Sequence, residues 1–159
     1  MAYQKLQASR ALAVVPSDTV NIPNPAMLAI DSTATGAAAL KLIDANGDFI
    51  NKRVKIGDII YSTVAGIASK VTGVDSSTQL SVTVAIPNAR PYQLYATVDT
   101  PNNGCVLYVG TAGDIKVTTA GGDDITFTGV LAGSFIPVQV LKVWATGSTG
   151  SPANIVALW

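Results

Sequence analysis

The side chains able to do chemistry in this 159-residue chain are few, and they gather in short acidic turns. DANGD, residues 44–48, sets oxygen-bearing side chains at alternate positions, as a calcium loop does. An EF-hand loop also needs glycine at its sixth position and glutamate at its twelfth; here those positions hold Phe49 and Lys55. Asn-Gly is a strong hairpin signal, so the stretch reads as a turn. GTAGD, residues 110–114, has the glycines of a phosphate cradle, but no lysine-serine pair follows and no helix offers its N-terminal amides. AGGDD, residues 120–124, sets two carboxylates side by side at a turn. Glycoside hydrolysis needs them to face each other across a cleft. Asp58 in IGDI and Asp75 in GVDSSTQL read as turn formers.

Histidine is absent and Cys105 is the only cysteine, which excludes Ser-His-Asp and Cys-His catalysis and the common His/Cys zinc site. An intramolecular disulfide is impossible, and Cys105 opens a β-prone run where a buried, inert thiol is expected. No catalytic residue, cofactor or metal ligand is therefore expected, and the chain reads as a non-enzyme. The two tryptophans, Trp144 and Trp159, are expected to dock near each other, with sugar stacking as the functional alternative.

Composition narrows the partners. Ten basic and ten acidic residues give a formal net charge of zero with neither sign clustered. That argues against nucleic acid, whose binding requires several phosphates to be neutralised, and leaves self-association unopposed by long-range repulsion. Charged residues make up 13% of the chain, against about a quarter in ordinary domains. Small apolar residues are abundant, but no run approaches the roughly 18 residues of a membrane helix. The excess implies either surface buried between subunits or a well-filled β core. The first residues lack a secretory core, because the apolar run ALAVV stops at Pro16, and synthesis in a cytoplasm is expected.

Strand signals dominate the elements that must position these groups. Val-, Ile-, Thr- and Tyr-rich runs bounded by turn residues fall at 54–63, 67–74, 79–85, 92–98, 106–109, 114–118, 124–128, 135–145 and 154–159. Spacing of about ten residues from strand to strand is that of sandwiches and small barrels. Residues 34–42, ATGAAALKL, are the one helical candidate, and read equally as a loop leading into a strand. Residues 1–25 form an arm with one strand-like run at 10–15 and then a Pro- and Asn-rich extended segment. Such an arm either pairs with a distant strand or lies across a neighbouring subunit. A second Pro/Asn/Gly cluster, DTPNNG at 99–104, brackets residues 26–103 as a segment with its own strands.

Three blocks, VPSDTVNIP at 15–23, CVLYVGTAGDIKVTTAGGDDITFTGVLAGSFIPVQVLKVWATG at 105–147 and IVALW at 155–159, resemble a family of small tailed-phage virion proteins. That family includes the spike-base protein on the heads of gene transfer agents. The blocks follow the family's order and cover roughly half of the chain. In compact members the NIP arm runs almost directly into the cysteine-led strand, whereas here residues 26–103 intervene.

The resemblance implies an all-β chain: a small β-sandwich or jelly-roll-like domain from residues 1–25 and 104–159, with 26–103 inserted as a small SH3-like barrel. It implies a capsid decoration, cement or head-spike-base protein on the capsid surface of the virion. Expected partners are further copies of the chain, as a trimer or pentamer, the major capsid protein, and a spike or fibre protein; nucleic acid and membrane are not expected. Pro16, Asp18, Asn21 and Ile22 of the arm and Val156, Leu158 and Trp159 of the tail are the implied assembly residues. The alternatives are a tail-associated or fibre-adaptor virion protein and a receptor- or carbohydrate-binding module.

Overall fold

A computed structural model describes residues 8–148 and 154–159. The protein is all-β. Twelve strands are found among the described residues: β1 (Ala11–Ala13), β2 (Leu28–Thr33), β3 (Lys41–Ile43), β4 (Ile59–Ser62), β5 (Ile67–Val74), β6 (Gln79–Val82), β7 (Pro91–Tyr95), β8 (Cys105–Val109), β9 (Gly113–Thr119), β10 (Asp124–Val130), β11 (Ser134–Val143) and β12 (Ile155–Leu158). One 3-10 turn, Pro25–Met27, is capped by Asn24, whose side chain accepts from the Ala26 amide.

The strands form two antiparallel sheets of six, ordered β1-β12-β8-β11-β9-β10 and β2-β7-β4-β5-β6-β3. The first draws its strands from 11–13 and 105–158, the second from 28–95. The tail strand β12 lies between β1 and β8, so the two ends of the chain are hydrogen-bonded neighbours.

Alternation decides which face each strand buries. In β8, Cys105, Leu107 and Val109 point inward, and in β9 Ile115 and Val117 do. They meet Ile59, Tyr61, Ala68 and Tyr95 of the second sheet, and this shared layer is the first core. A second core lies on the other face of the second sheet, around Leu42, Phe49, Ile60, Leu80, Tyr92 and Leu94. β4 belongs to both: Ile59 and Tyr61 face one core and Ile60 the other, so all four of its residues are buried. An unbroken apolar run in a short strand has this cause.

The second sheet curls back on itself. Just after β2, Thr35 donates its amide to the Ile43 carbonyl at 2.8 Å and Gly36 bridges Ile43, which joins the β2 edge to β3. Residues 34–42 form no helix. They make this junction, a turn at Ala39–Leu40 and the start of β3, because the second core takes up Ala34 and Leu42, both essentially buried.

The arm pairs with the distant strand of its own subunit. Val14 donates to the Ile155 carbonyl, Ser17 to Val143 and Ile22 to Leu141. Val14, Val15, Val20 and Ile22 are buried in the first core. Burying four aliphatic side chains within the subunit outweighs leaving them for a neighbour. Ile22, expected at an assembly surface, therefore has no side-chain surface to offer another subunit.

Candidate functional site

The acidic turns hold the fold and bring no reactive groups together. Asp44, fully buried, accepts from the Asn46 amide at 2.9 Å and from the Tyr92 hydroxyl at 2.7 Å. Gly47 in the same turn lies under the Phe49 ring, where any Cβ would collide with it. Asp58, also buried, accepts from the amides of Lys55 and Val98. Asp75 takes Lys41 and Ser81 as partners on the surface. Cys105 is buried with its Sγ 3.3 Å from the Val140 carbonyl, and burial pushes the thiol up to about 12. No group of His, Cys, Asp and Glu among the described residues is arranged to hold a metal ion, and no described helix is long and apolar enough to cross a membrane.

One polar cluster does gather residues that are far apart in sequence. The Asp18 carboxylate accepts from the Thr146 amide at 2.9 Å and the Thr146 hydroxyl at 3.0 Å. Lys142 donates through Nζ to the Asp18 backbone carbonyl at 3.1 Å. The Thr146 amide holds the Asp18 carboxyl below its ordinary value; the Thr146 hydroxyl, the Ala145 amide and Lys142 add to this, and desolvation opposes it.

Beside this lock stands Trp144, whose indole N–H donates to the Thr118 hydroxyl at 2.9 Å; that hydroxyl donates in turn to Asp124. The ammonium groups of Lys116 and Lys142 lie 3.9 and 3.7 Å from the centre of the Trp144 ring. Lys142, on β11, precedes Trp144 by two residues, and Trp144 follows directly on that strand; Lys116 is its neighbour on β9. The ring attracts both cations, and the carboxylates of Asp18 and Asp124 belong to the same cluster.

Trp159 sits elsewhere. Its indole N–H donates to Asn102 at 3.0 Å, and its backbone pairs with Arg10. The two tryptophans share no partner, so the expected pairing of Trp144 with Trp159 is not what holds either ring. Asn102 was not singled out by its sequence context. It is buried, and it joins the 99–104 cluster to the tail and, through its side-chain amide, to the Val140 carbonyl.

The other expected assembly residues are dispersed. Asn21 is exposed at the mouth of a 270 Å³ cleft lined also by Gly57, Lys70 and Thr97, while Pro16 is half-buried. Val156 and Leu158 lie half-buried on the outer face of the first sheet. Cross-strand register sets them on one face with Ala11, Ala13, Val106, Tyr108 and Phe135. Phe135 is 59% exposed and meets Tyr108 edge-on at 5.4 Å. This apolar outer face is continuous over four strands.

No protein-family model, curated protein or solved structure matches the chain.

Proposed function

We propose that this chain is a structural protein of a phage particle, made in the host cytoplasm and carried on the capsid surface. It acts as a capsid decoration, cement or head-spike-base protein that forms a homo-oligomer and docks on the major capsid protein. The carrying observation is that the separated blocks resembling the virion family meet in one unit. The SDT segment of the arm is locked to the WATG segment through Asp18 and Thr146, 128 residues apart. Lys116 and Thr118 of IKVTT contact Trp144 of the same WATG segment. The residues between arm and β8 supply the strands of the second sheet, which we read as an inserted module. An apolar outer face and turn-bound carboxylates suit lateral association and docking, in which many weak contacts on a symmetric lattice add up.

The copy number relative to the major capsid protein in purified particles tests this reading. A ratio near one is expected for a cement spread over the shell, and a far lower ratio for a spike base at the vertices or for a tail-associated adaptor. Absence from the particle overturns the reading. A receptor- or carbohydrate-binding role is favoured by one observation, the partly buried Trp144 with two lysines against its ring. Binding to an array of acidic glycans that is lost in Trp144→Ala would establish it.

A further inference from the structure

The two edges of the first sheet are complementary, and we infer that β10 of one copy pairs antiparallel with β1 of the next, extending the sheet head-to-tail between subunits. This deepens the homo-oligomer part of the function proposed above and rests on it. Sheet edges in stable monomers are blunted by lysine, proline, cover or closure, because unpaired N–H and C=O groups template association. β10 has seven residues, none of them Lys or Pro, and Asp124 is its only charged residue. Among the described residues no strand lies along its far side.

Its inward side chains are only partly covered. Ile125 and Phe127 oppose Val117 and Ile115 and so point to the core face, yet Ile125 is 47% exposed and Phe127 only half-buried. The single subunit thus leaves an apolar overhang.

The opposite edge offers what this overhang lacks. Arg10 and Trp159 exchange backbone hydrogen bonds and Val14 donates to Ile155, so the amides of Ala11 and Ala13 point away from β12. Beside them opens a groove of 440 Å³, lined by Leu12, Pro25, Leu28, Thr63, Gln93 and Tyr95. Leu28 in that groove is 45% exposed. A strand laid against β1 would drop its inward side chains here.

Direction and facing agree. All neighbours in the six-stranded sheet are antiparallel, so β1 and β10 run in opposite senses. A copy rotated about an axis along the strands therefore presents β1 antiparallel to β10. In β10 the Thr119–Asp123 bond sets the ladder, so Ile125 and Phe127 bond toward β9 while Asp124, Thr126 and Thr128 direct their amides outward. The outward groups on both edges thus belong to outer-face residues, Ala11 and Ala13 on one and Thr126 and Thr128 on the other. Setting Leu12 beside Phe127 places Ala11 opposite Thr128 and Ala13 opposite Thr126, so the outward amides of the two edges face each other. Such a contact is heterologous and closes into a ring or runs on as an open chain.

Proline at an outward-pointing amide removes only the donor that a neighbour would use. Sedimentation and native mass spectrometry of the full chain are expected to show an oligomer for the wild type. Thr126→Pro and Ala13→Pro, each with unchanged circular dichroism, are expected to be monomers. An equal mixture of the two restores one intact β10 edge and one intact β1 edge and is expected to yield a dimer. If Thr126→Pro disturbs the fold, Ile125→Lys replaces it at an exposed side chain and gives the same loss.

A wild type that stays monomeric, variants that assemble like wild type, or a mixture that stays monomeric overturns the contact. The particle experiment fails separately. An oligomer with this mixing behaviour that is absent from particles removes the virion role and leaves the contact standing. An abundant particle protein indifferent to both prolines does the reverse.

Discussion

The two sheets share one core yet solve the edge problem in opposite ways. The second sheet joins its β2 edge to β3 at Gly36–Ile43 and keeps its polar groups inside, with Asp44 on Tyr92 and Ser62 on the Pro91 carbonyl. The first sheet stays open at β1 and β10 and carries an apolar outer face from Ala11 to Phe135. A closed sheet satisfies its backbone within one subunit, whereas an open sheet leaves unpaired N–H and C=O groups along its edges. The chain-end sheet is therefore the one that offers unpaired edges, on which the proposed association rests, while the second sheet packs against it through Ile59, Tyr61 and Tyr95.

The largest expected effect comes from the arm. A chain beginning at Asn24 loses β1 and the buried Val14, Val15, Val20 and Ile22. At roughly 1.5–3 kcal/mol for each buried aliphatic side chain, the loss is comparable with the whole stability of a domain. We expect no cooperative thermal transition from this chain. A folded product that merely fails to assemble would show that the open sheet does not depend on its arm.

Next in size is Tyr92→Phe, which tests the closed sheet. It strips the hydroxyl from a fully buried carboxylate, and an unsatisfied buried acceptor costs about 1–3 kcal/mol. Denaturant unfolding should register that loss while the oligomeric state is unchanged. A neutral result would mean that Asp44 is held by the Asn46 amide alone.

The smallest effect is expected at Asp18, an exposed lock on the open sheet. Its carboxyl is lowered in the folded protein, so the stabilisation it supplies is complete above the ordinary value of 3.8 and is lost as pH falls through the lowered value. Wild type should lose a few degrees of melting temperature across that acid window relative to Asp18→Asn, and the two should converge below it. Parallel curves would show that the Thr146 contacts do not depend on the charge.

Much of the fold could be read from alternation. IKVTT and DITFT alternate cleanly, and both are strands at those positions. Where the signal was short or flanked by proline it failed. Leu28–Thr33 begins three residues after Pro25 and becomes a strand because β7 pairs with it, while Lys41–Ile43, read equally as helix or as a strand after a loop, is decided by its pairing with β6. The candidate site was legible only in pieces. Asp18 could be singled out from its segment, but neither Thr146 nor the two lysines around Trp144 announced themselves. Contacts spanning more than a hundred residues leave no local period to read.

By itself the sequence determined that this is an all-β chain without histidine and without an intramolecular disulfide, since composition and two-residue periodicity act locally. Only the tertiary structure decided that the arm returns to its own subunit, that Asp44 and Asp58 are interior, and that one sheet closes while the other stays open. Those outcomes depend on which strand lies beside which. That choice is made by burying apolar faces far apart in the chain, with the buried carboxylates Asp44 and Asp58 finding partners as a consequence.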